Sequence, residues 1–388
     1  MYIIALSRRS NRLAECGVSG DMSRRLSVTA ATLVAAVALI TLAGCGSSSP
    51  AAAPPTTASP TSAAASPAAT AATAPASPSA SASPSVAAAV PIDVQDVSFV
   101  STEQGWALGS GALLTTTDGG ATWTQLPSPP AGAAHIRFAT ADIGYAWSTD
   151  GSLWITTNGA TSWQPGGQTQ VVSLETAAGW VWSLAGPQPY PNVWRAPVGS
   201  TTWTNLGSTP DRSATLTVHG DVAYVVGQQG AGPISPSLDV FTGTQPVRHE
   251  SLPCIQGQTY VPFAPLGVST DGQVYLVCDV MDNQSSSSTQ SQLAYESDNE
   301  GSSWSAASPS PPQPPQGVTA TAGARFAWSS GPDLYALTGQ GWQVVLTNPE
   351  HSFSLVGFES NTQGVAVGTN GYLWMTHNGG TSWSRVTL

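Results

Sequence analysis

The sequence predicts an all-β protein: a seven-bladed β-propeller of four-stranded repeats, each about 40 residues long, after a signal peptide and a disordered linker. Three observations predict this fold class. A turn that ends in tryptophan recurs along the chain, a short apolar strand precedes each copy, and no helical period of useful length occurs from residue 91 onward. The alternative is a β-sandwich in which the tryptophan spacing is coincidental.

The first region, residues 1–44, has the layout of a secretory signal peptide. From Met22 the chain reads "MSRRLSVTAATLVAAVALITLAGC", where two arginines precede an apolar stretch and small residues end at Cys45. The last four of these residues, "LAGC", resemble the bacterial lipobox, which implies cleavage before Cys45 and attachment of lipid to its sulfur. An uncleaved membrane helix is the alternative, but the apolar stretch is short for a span. Because the residues before Met22 fit a signal peptide poorly, we expect Met22 to be the true start.

The second region, residues 45–90, is a tether. After Cys45 it consists of Ala, Pro, Ser and Thr apart from Gly46, Val86 and Val90. This composition offers nothing to bury, so we predict an extended, disordered spacer. With the lipid on Cys45, it predicts an exported protein anchored at the outer face of the cytoplasmic membrane or in the cell wall. The lysine-free, alanine-rich composition is typical of high-GC bacteria.

The third region, residues 91–388, is expected to fold and is strongly acidic. From Cys45 onward the chain has six arginines against twenty acidic residues, which gives a formal net charge of −14. Such a surface repels phosphate backbones, so we exclude nucleic acid as a partner. Cationic polymers, metal ions and neutral glycans remain open as ligands.

Two cysteines remain in the folded region after export. Cys16 is removed with the signal peptide and Cys45 is lipidated, which leaves Cys254 and Cys278 in an oxidising compartment. We predict a disulfide between them, and two buried thiols in neighbouring strands are the alternative. Neither arrangement supplies a nucleophile.

The repeated element is a turn of eight residues, which we call the tryptophan turn. It has a hydroxyl residue first, Asp or Asn third, Gly or Ala fifth, Ser or Thr seventh and Trp eighth. Degenerate copies of this turn end at Trp203 and Trp342. The final tryptophans are 38 to 41 residues apart except for one interval of 101, which equals two periods with one copy lost, so the count is seven units. The four clear copies are residues 116–123, 156–163, 297–304 and 376–383.

The tryptophan turn is predicted to be structural. Its third residue can accept hydrogen bonds from backbone N–H groups two residues on, its glycine supplies a positive φ, and its tryptophan wedges between neighbouring blades. Asn replaces Asp in three of the four copies, and an amide does no acid or base work at neutral pH. The predicted structural residues are Asp118, Gly120, Trp123, Asn158, Trp163, Asn299, Gly301, Trp304, Asn378, Gly380 and Trp383.

These turns resemble the Asp-box, also called the bacterial neuraminidase repeat. The wider pattern in "GWALGSGALLTTTDGGATWTQL" is similar to repeats of the photosystem II stability and assembly factor family. The resemblance covers residues 91–388 and is strongest in units one, two and seven. It implies a propeller whose boxes lie on the outer rim. It leaves function open, because sialidases, sortilin-type receptors, xyloglucanases and non-enzymatic assembly factors all carry such boxes.

A sialidase-like glycoside hydrolase is the enzymatic alternative. The resemblance implies three arginines that clamp the substrate carboxylate, the first in an Arg-Ile-Pro motif. None of the arginines after Cys45 precedes Ile-Pro, and Arg137 in "HIRFAT" is the nearest match. The five histidines are scattered without metal-ligand spacing, and "CDVMDN" at 278–283 lacks the spacing of a calcium loop. We therefore predict no catalytic residue, no metal site and no cofactor.

A non-enzymatic binding or assembly scaffold is the function that the sequence favours. We expect a monomer that binds an envelope protein or glycan and touches the membrane only through its lipid anchor. Some tryptophans outside the tryptophan turns are candidates for stacking on sugars, with core packing as the alternative. These are Trp106, Trp147, Trp154, Trp180, Trp182, Trp194, Trp328 and Trp374.

Overall fold

The computed structural model describes residues 2–3, 92–209, 211–229, 235–243, 247–255, 260–263, 265–282, 289–307, 309–312, 315–329 and 331–388. The predicted signal peptide cleavage, the lipidation of Cys45 and the tether concern residues that lie outside these ranges. Over the described ranges, no helix has the length and apolar character needed to cross a membrane.

The chain folds into a seven-bladed β-propeller, which confirms the predicted fold class. Each blade is an antiparallel sheet whose four strands follow one another in the sequence, from the innermost to the outermost. A two-residue strand, β1 (Tyr2–Ile3), pairs with the inner edge of blade seven. Blade five differs from the others because two short segments together form its innermost strand.

The first three blades have the following strands. Blade one contains β2 (Val94–Phe99), β3 (Gly105–Gly109), β4 (Ala112–Thr116) and β5 (Thr124–Gln125). Blade two contains β6 (Ala133–Phe138), β7 (Gly144–Ser148), β8 (Leu153–Thr156) and β9 (Gln164–Pro165). Blade three contains β10 (Val171–Ala177), β11 (Trp180–Ala185), β12 (Asn192–Pro197) and β13 (Thr204–Ser208).

The remaining blades continue in the same order. Blade four contains β14 (Asp211–His219), β15 (Val222–Gln229), β16 (Ser235–Thr242) and β17 (Arg248–Glu250), followed by a 3-10 turn (Pro253–Ile255). Blade five contains β18 (Tyr260–Phe263), β19 (Leu266–Val268), β20 (Val274–Asp282), β21 (Thr289–Ser297) and β22 (Ser305–Ala307). Blade six contains β23 (Gly317–Ala320), β24 (Arg325–Trp328), β25 (Asp333–Thr338) and β26 (Gly341–Thr347), and blade seven contains β27 (Phe353–Phe358), β28 (Gly364–Gly368), β29 (Leu373–Thr376) and β30 (Ser384–Val386).

The hydrophobic core lies between the blades. Seven clusters of buried apolar side chains occur, one at each interface between neighbouring blades. Between blades one and two, for example, the ring of Trp106 stacks on Phe138 with 3.7 Å between centroids. Both faces of every sheet are therefore covered, which explains why the second strands are apolar throughout rather than alternating.

Glycines open several second strands because an aromatic ring occupies the space of their missing side chain. A Cβ on Gly105 would lie 2.5 Å from the ring of Phe99, and one on Gly144 would lie 2.5 Å from the ring of Phe138. Each of these phenylalanines also meets the tryptophan of its own blade edge-on, as Phe99 does with Trp123 at 6.2 Å. The glycine and the tryptophan of a repeat thus pack around one phenylalanine.

The ring closes by side-chain packing between blades one and seven. Val94 and Val97 of blade one share a buried cluster with Val365 and Met375 of blade seven. The backbone N–H of Val94 also donates to the carbonyl of Gly371 at 2.9 Å. Strands β27 to β30 all come from the C-terminal segment, and β1, from the beginning of the chain, is added only at the inner edge of β27.

A disulfide joins Cys254 of the 3-10 turn to Cys278 of β20, with 5.5 Å between the Cα atoms. Both residues are fully buried among apolar side chains at the interface of blades four and five. The bond fixes the connection that enters blade five against the second strand of that blade.

Candidate functional site

The four tryptophan turns share one hydrogen-bond pattern. In the first, the hydroxyl of Thr116 donates to Asp118 Oδ1 at 2.8 Å and accepts the N–H of Gly120 at 2.9 Å. Asp118 Oδ1 also accepts the N–H of Thr122 at 2.8 Å. The three turns with asparagine repeat these bonds through Asn158, Asn299 and Asn378. The side-chain oxygen of the third residue therefore accepts the N–H of the residue four positions later. The predicted bond to the N–H two positions later is wrong.

Asp118 has the electrostatics of a structural acceptor. Hydrogen bonds from the Thr122 side chain and backbone, with that from Thr116, lower the pKa of Asp118 to about 2. The carboxyl group is therefore ionised at neutral pH and has no proton to donate. The asparagines donate instead, as Asn158 Nδ2 does to the Ser162 hydroxyl at 2.9 Å.

The tryptophan of each turn is half-buried at the interface with the preceding blade. Trp123 packs on the cluster between blades seven and one, and Trp163 packs on that between blades one and two. Trp304 and Trp383 occupy the corresponding places at blades five and seven. Because the turn follows the third strand of its blade, it lies on the outer part of the ring, away from the centre.

The tryptophan turns are hydrogen-bonded to a second set of turns, which join the first and second strands of each blade. Gly119 donates its N–H to the carbonyl of Glu103 at 2.9 Å, and Gly159 donates to that of Asp142 at 2.9 Å. Both sets of turns lie on one side of the ring because adjacent strands run in opposite directions. We call this side the turn face. Exposed acids occupy four of its seven first turns: Glu103, Asp142, Asp221 and Asp271.

The innermost strands of blades one to three carry a buried charge cluster, which we call the inner-rim cluster. Arg137 on β6 donates from Nε and Nη2 to the two carboxylate oxygens of Glu175 on β10, at 3.0 and 3.1 Å. Its Nη1 donates to the carbonyl of Ile136 and lies 3.7 Å from Asp96 Oδ1. Asp96 also accepts the N–H groups of Val97 and Ile136.

Burial and pairing set the charge of this cluster. Arg137 and Asp96 are 1% exposed and Glu175 is 3% exposed. Burial raises the pKa of Glu175 to about 7, against the opposing effect of Arg137. Burial by itself would lower the pKa of Arg137. The nearby carboxylates of Glu175 and Asp96 have the larger, opposite effect, so the pKa of Arg137 lies above its ordinary value. Arg137 therefore stays charged and already uses its donors within the protein.

The other arginines do not converge on the centre. Arg195 on the third strand of blade three stacks on Trp180 and pairs with Asp221. Arg325 pairs with Glu296. Arg248 and Arg385 lie on outer strands, where the first pairs with Glu250 and Glu300 and the second stacks on Tyr372. Arg212 lies on β14, and its side chain is outside the described part of the structure.

These positions do not assemble the three-arginine clamp that the sialidase alternative requires. Among the arginines with described side chains, only Arg137 is on an innermost strand, and it is buried against Glu175. Histidines do not converge either, and the described residues contain no group of three metal-ligating side chains. From "CDVMDN", Cys278 forms the disulfide. Sequence reasoning missed Asp96 and Glu175, although each is a lone acid within an apolar first strand.

The tryptophans outside the tryptophan turns divide into two groups. Five of the eight are at most 6% exposed and belong to the interblade packing, which favours the core alternative for them. Trp154, Trp180 and Trp194 are half-buried, and Arg195 covers the ring of Trp180 at 3.7 Å. The five buried ones are Trp106, Trp147, Trp182, Trp328 and Trp374.

Fold and site together define a seven-bladed β-propeller whose charged inner rim is internally paired and whose turn face is acidic. No family model matches the sequence, and the search of curated proteins also found no match. Comparison with solved structures does find similar propellers. YCF48 bound to D1 peptide is 17% identical, with 74% of this chain and 95% of that chain covered and a TM-score of 0.52.

Two further propellers are similar in architecture and are parts of enzymes by their descriptions. The β-propeller domain of the Trilobed protease from Pyrococcus furiosus, described as having an open velcro topology, is 10% identical. The comparison covers 77% of this chain and 99% of that chain, with a TM-score of 0.53. An ancestral GH74 enzyme is 12% identical over 76% of this chain and 46% of that chain, with a TM-score of 0.55. At these identities the likeness establishes the fold alone.

Proposed function

We propose that this chain is a lipid-anchored, extracytoplasmic β-propeller that serves as a non-enzymatic binding or assembly scaffold for a protein or polymer partner in the cell envelope. The observation that carries the proposal is the pairing of Arg137. The inner rim is where a propeller enzyme of the sialidase type needs free arginines, and Arg137 is neutralised there by Glu175 and Asp96. A rigid ring with turns on two faces then supports binding.

The comparison with YCF48 supports a protein partner. That propeller is described in complex with a peptide and is covered over 95% of its length. Here the exposed acids of the turn face disfavour polyanionic partners, in keeping with the net charge of the folded region. Export and lipidation of Cys45 are also part of the proposal. They rest on the signal-peptide pattern that precedes this residue.

Capture from the cell envelope tests the scaffold proposal. The full chain with its lipid anchor is expected to retain a specific envelope component, which mass spectrometry identifies. The charge-reversed variant Glu103→Lys with Asp142→Lys, on the turn face, is compared with Asp93→Lys with Glu350→Lys, which changes the charge equally on the opposite side. Loss of the captured component in only one of the two variants identifies the face that binds it.

A second assay addresses the enzymatic alternative. The same preparation is incubated with a panel of aryl glycosides, including a sialoside, and release of the aryl group is measured. We expect no turnover above that of heat-denatured protein. Turnover that disappears in a Glu175→Gln variant with intact folding would overturn the non-enzymatic proposal, because it would make the inner-rim cluster a catalytic centre.

A further inference from the structure

The inner edge of blade seven carries an added strand. β1 pairs antiparallel with β27, and Ile3 of β1 is opposite Gly357. β1 also lies near β14, the innermost strand of blade four, so it occupies the central channel that the innermost strands enclose. Among the strands that the structure describes, no other innermost strand has a partner on its inner edge. The edge of β27 is therefore a place where a further extended segment fits.

This edge is apolar and firmly held. β27 reads "FSLVGF" and contains no charged residue. Phe353, Val356 and Phe358 pack on the cluster between blades six and seven, and Leu355 packs on that between blades seven and one. Because the edge is already ordered, it loses little conformational entropy when a strand is added.

A glycine stands at the point where β1 pairs. Gly357 is opposite the second residue of the second strand of its blade. The corresponding residues of blades one, two and six are Ser98, Arg137 and Thr319. Blade seven therefore has no side chain at a position of the inner rim where these blades have one.

An acidic group lies at the end of the edge where β1 begins. Because β1 runs antiparallel to β27, its amino end is at the carboxyl end of β27, on the turn face. Glu359 follows β27 directly and is half-buried. Burial raises the pKa of Glu359, and the positive amino terminus of the chain opposes this rise through its charge and a hydrogen bond. The channel thus combines a strand on β27 with an ammonium group at Glu359.

Export removes this occupant, so the inference rests on the proposed function. Cleavage before Cys45 takes away β1 together with the amino terminus that precedes it, which leaves the inner edge of β27 to another segment. A closed ring admits a strand to its inner edge along the ring axis. A chain end enters in this way as a single strand, whereas a loop must bring two.

We propose that, in the exported protein, the inner edge of β27 binds the amino-terminal end of another polypeptide. The bound segment forms an extended strand antiparallel to β27, and its α-ammonium group pairs with Glu359. Main-chain hydrogen bonds supply affinity, as in other cases of strand addition, and the carboxylate selects a chain end over an internal segment. The partner class for the scaffold is then an envelope protein with an exposed, unmodified amino terminus.

Peptide binding to the processed chain, which starts at Cys45, tests the proposal. The probe is the peptide "MYIIALSRR", residues 1–9, with a fluorophore at its carboxyl end, and fluorescence anisotropy measures binding. We expect the probe to bind. Acetylation of its α-amino group should weaken binding about tenfold or more, because a charged hydrogen bond is lost. Equal binding of the acetylated and unmodified probes, or no binding of either, would overturn the proposal.

A matched pair of variants assigns the charge effect to one residue. Glu359→Gln is expected to weaken binding of the unmodified probe by a similar factor and to abolish the effect of acetylation. Glu103→Gln makes the same change at an exposed acid in the first turn of blade one, and is expected to bind as wild type. Equal weakening by both variants would make the effect one of net charge and would count against a site at Glu359.

Disulfide capture tests the register. A probe with Ile3→Cys is expected to form a mixed disulfide with the Gly357→Cys variant after mild oxidation, because directly opposed residues lie within disulfide range. Thr347→Cys, exposed on the outermost strand of blade six, is the control and should capture none. Equal capture by the two variants would overturn the placement on β27.

The mass of the protein isolated from the envelope separates this proposal from the proposed function. A mature chain that starts before Cys45 would contradict export with cleavage. The binding of the probe to the chain from Cys45 decides the strand site independently of that result.

Discussion

At the scale of single residues, the third position of the tryptophan turn shows how one geometry accepts two chemistries. Asp118 accepts the N–H and the hydroxyl of Thr122, whereas Asn158 accepts the N–H of Ser162 and donates to its hydroxyl. The hydroxyl side chain rotates to act as donor or acceptor. The two side chains therefore hold the same turn, but only the carboxylate can lose its charge in acid.

That difference gives a pH prediction. The pKa of Asp118 falls from an ordinary 3.8 to about 2 in the folded state. Its contribution to stability is therefore present above about pH 4 and is lost as the pH falls toward 2. We expect Asp118→Asn to have the wild-type melting temperature at pH 7. Between about pH 4 and pH 2, its melting temperature should fall less than that of the wild type. An equal fall in melting temperature for the two proteins across this range would contradict the lowered pKa of Asp118.

The inner-rim cluster gives a second prediction at this scale. Replacing Arg137 with alanine leaves two buried carboxylates without their cation, so we expect a loss of about 3–5 kcal/mol in the free energy of unfolding. Arg137→Lys should recover little, because an ammonium group cannot make the two parallel bonds to Glu175. Arg385→Ala, at an exposed outer-strand arginine, is the control and should cost less than about 1 kcal/mol. Urea unfolding measures all three.

The sequence identifies the residues of the tryptophan turns but not the partners of Arg137. The turns are local, so eight residues determine their bonds. Arg137 and Glu175 belong to different blades, 38 residues apart, and their pairing depends on how neighbouring first strands face each other. A signal was present, because charged residues stand within the apolar first strands of three consecutive repeats. Single-sequence reasoning did not combine them.

At the scale of elements, the fifth position of the tryptophan turn packs against the preceding blade. A Cβ on Gly120 would lie 2.4 Å from the sulfur of Met375, and the residue has a φ of 92°. The equivalent residue of the second turn is Ala160, which is fully buried with a φ of 70°. The space beside this position therefore differs from one interface to the next.

A reciprocal pair of substitutions tests this difference. Gly120→Ala should lower the free energy of unfolding by about 1–3 kcal/mol, through both the contact with Met375 and the positive φ. Ala160→Gly should change it by less than about 1 kcal/mol, because relief of backbone strain offsets the loss of a buried methyl group. Thermal and urea unfolding of the two variants give the comparison. A loss for Gly120→Ala that is matched by an equal gain for Ala160→Gly would show that φ alone decides the effect.

The second strands of all seven repeats could be predicted, because their apolar runs recur with the period of the turns. The innermost strand of blade five could not, since β18 and β19 are separate segments that both pair with β20. The lengths of the outer strands also escaped prediction. They range from two residues in β5 to seven in β26 and depend on pairing with a neighbour rather than on local pattern.

At the scale of the whole molecule, the disulfide constrains the middle of the ring. It closes a loop with a sequence separation of 24 residues, between the entry to blade five and its second strand. Removing it by Cys254→Ala with Cys278→Ala should cost about 3–4 kcal/mol, through the entropy regained by the unfolded chain. Melting of the variant, and of wild type with and without reductant, measures the effect. An unchanged melting temperature on reduction would show that packing alone holds this connection.

The manner of ring closure also bears on how the molecule can change over evolutionary time. Where first and last segments share a blade, inserting a repeat must preserve that shared sheet. Here every blade from β2 onward is formed by one continuous segment of the chain, and the last blade meets the first through side chains such as Val94 and Met375 and through the backbone bond from Val94 to Gly371. An in-frame duplication between two repeats would leave no strand without its sheet. The blade number can thus change by simple unequal recombination, and only one interface must then adapt.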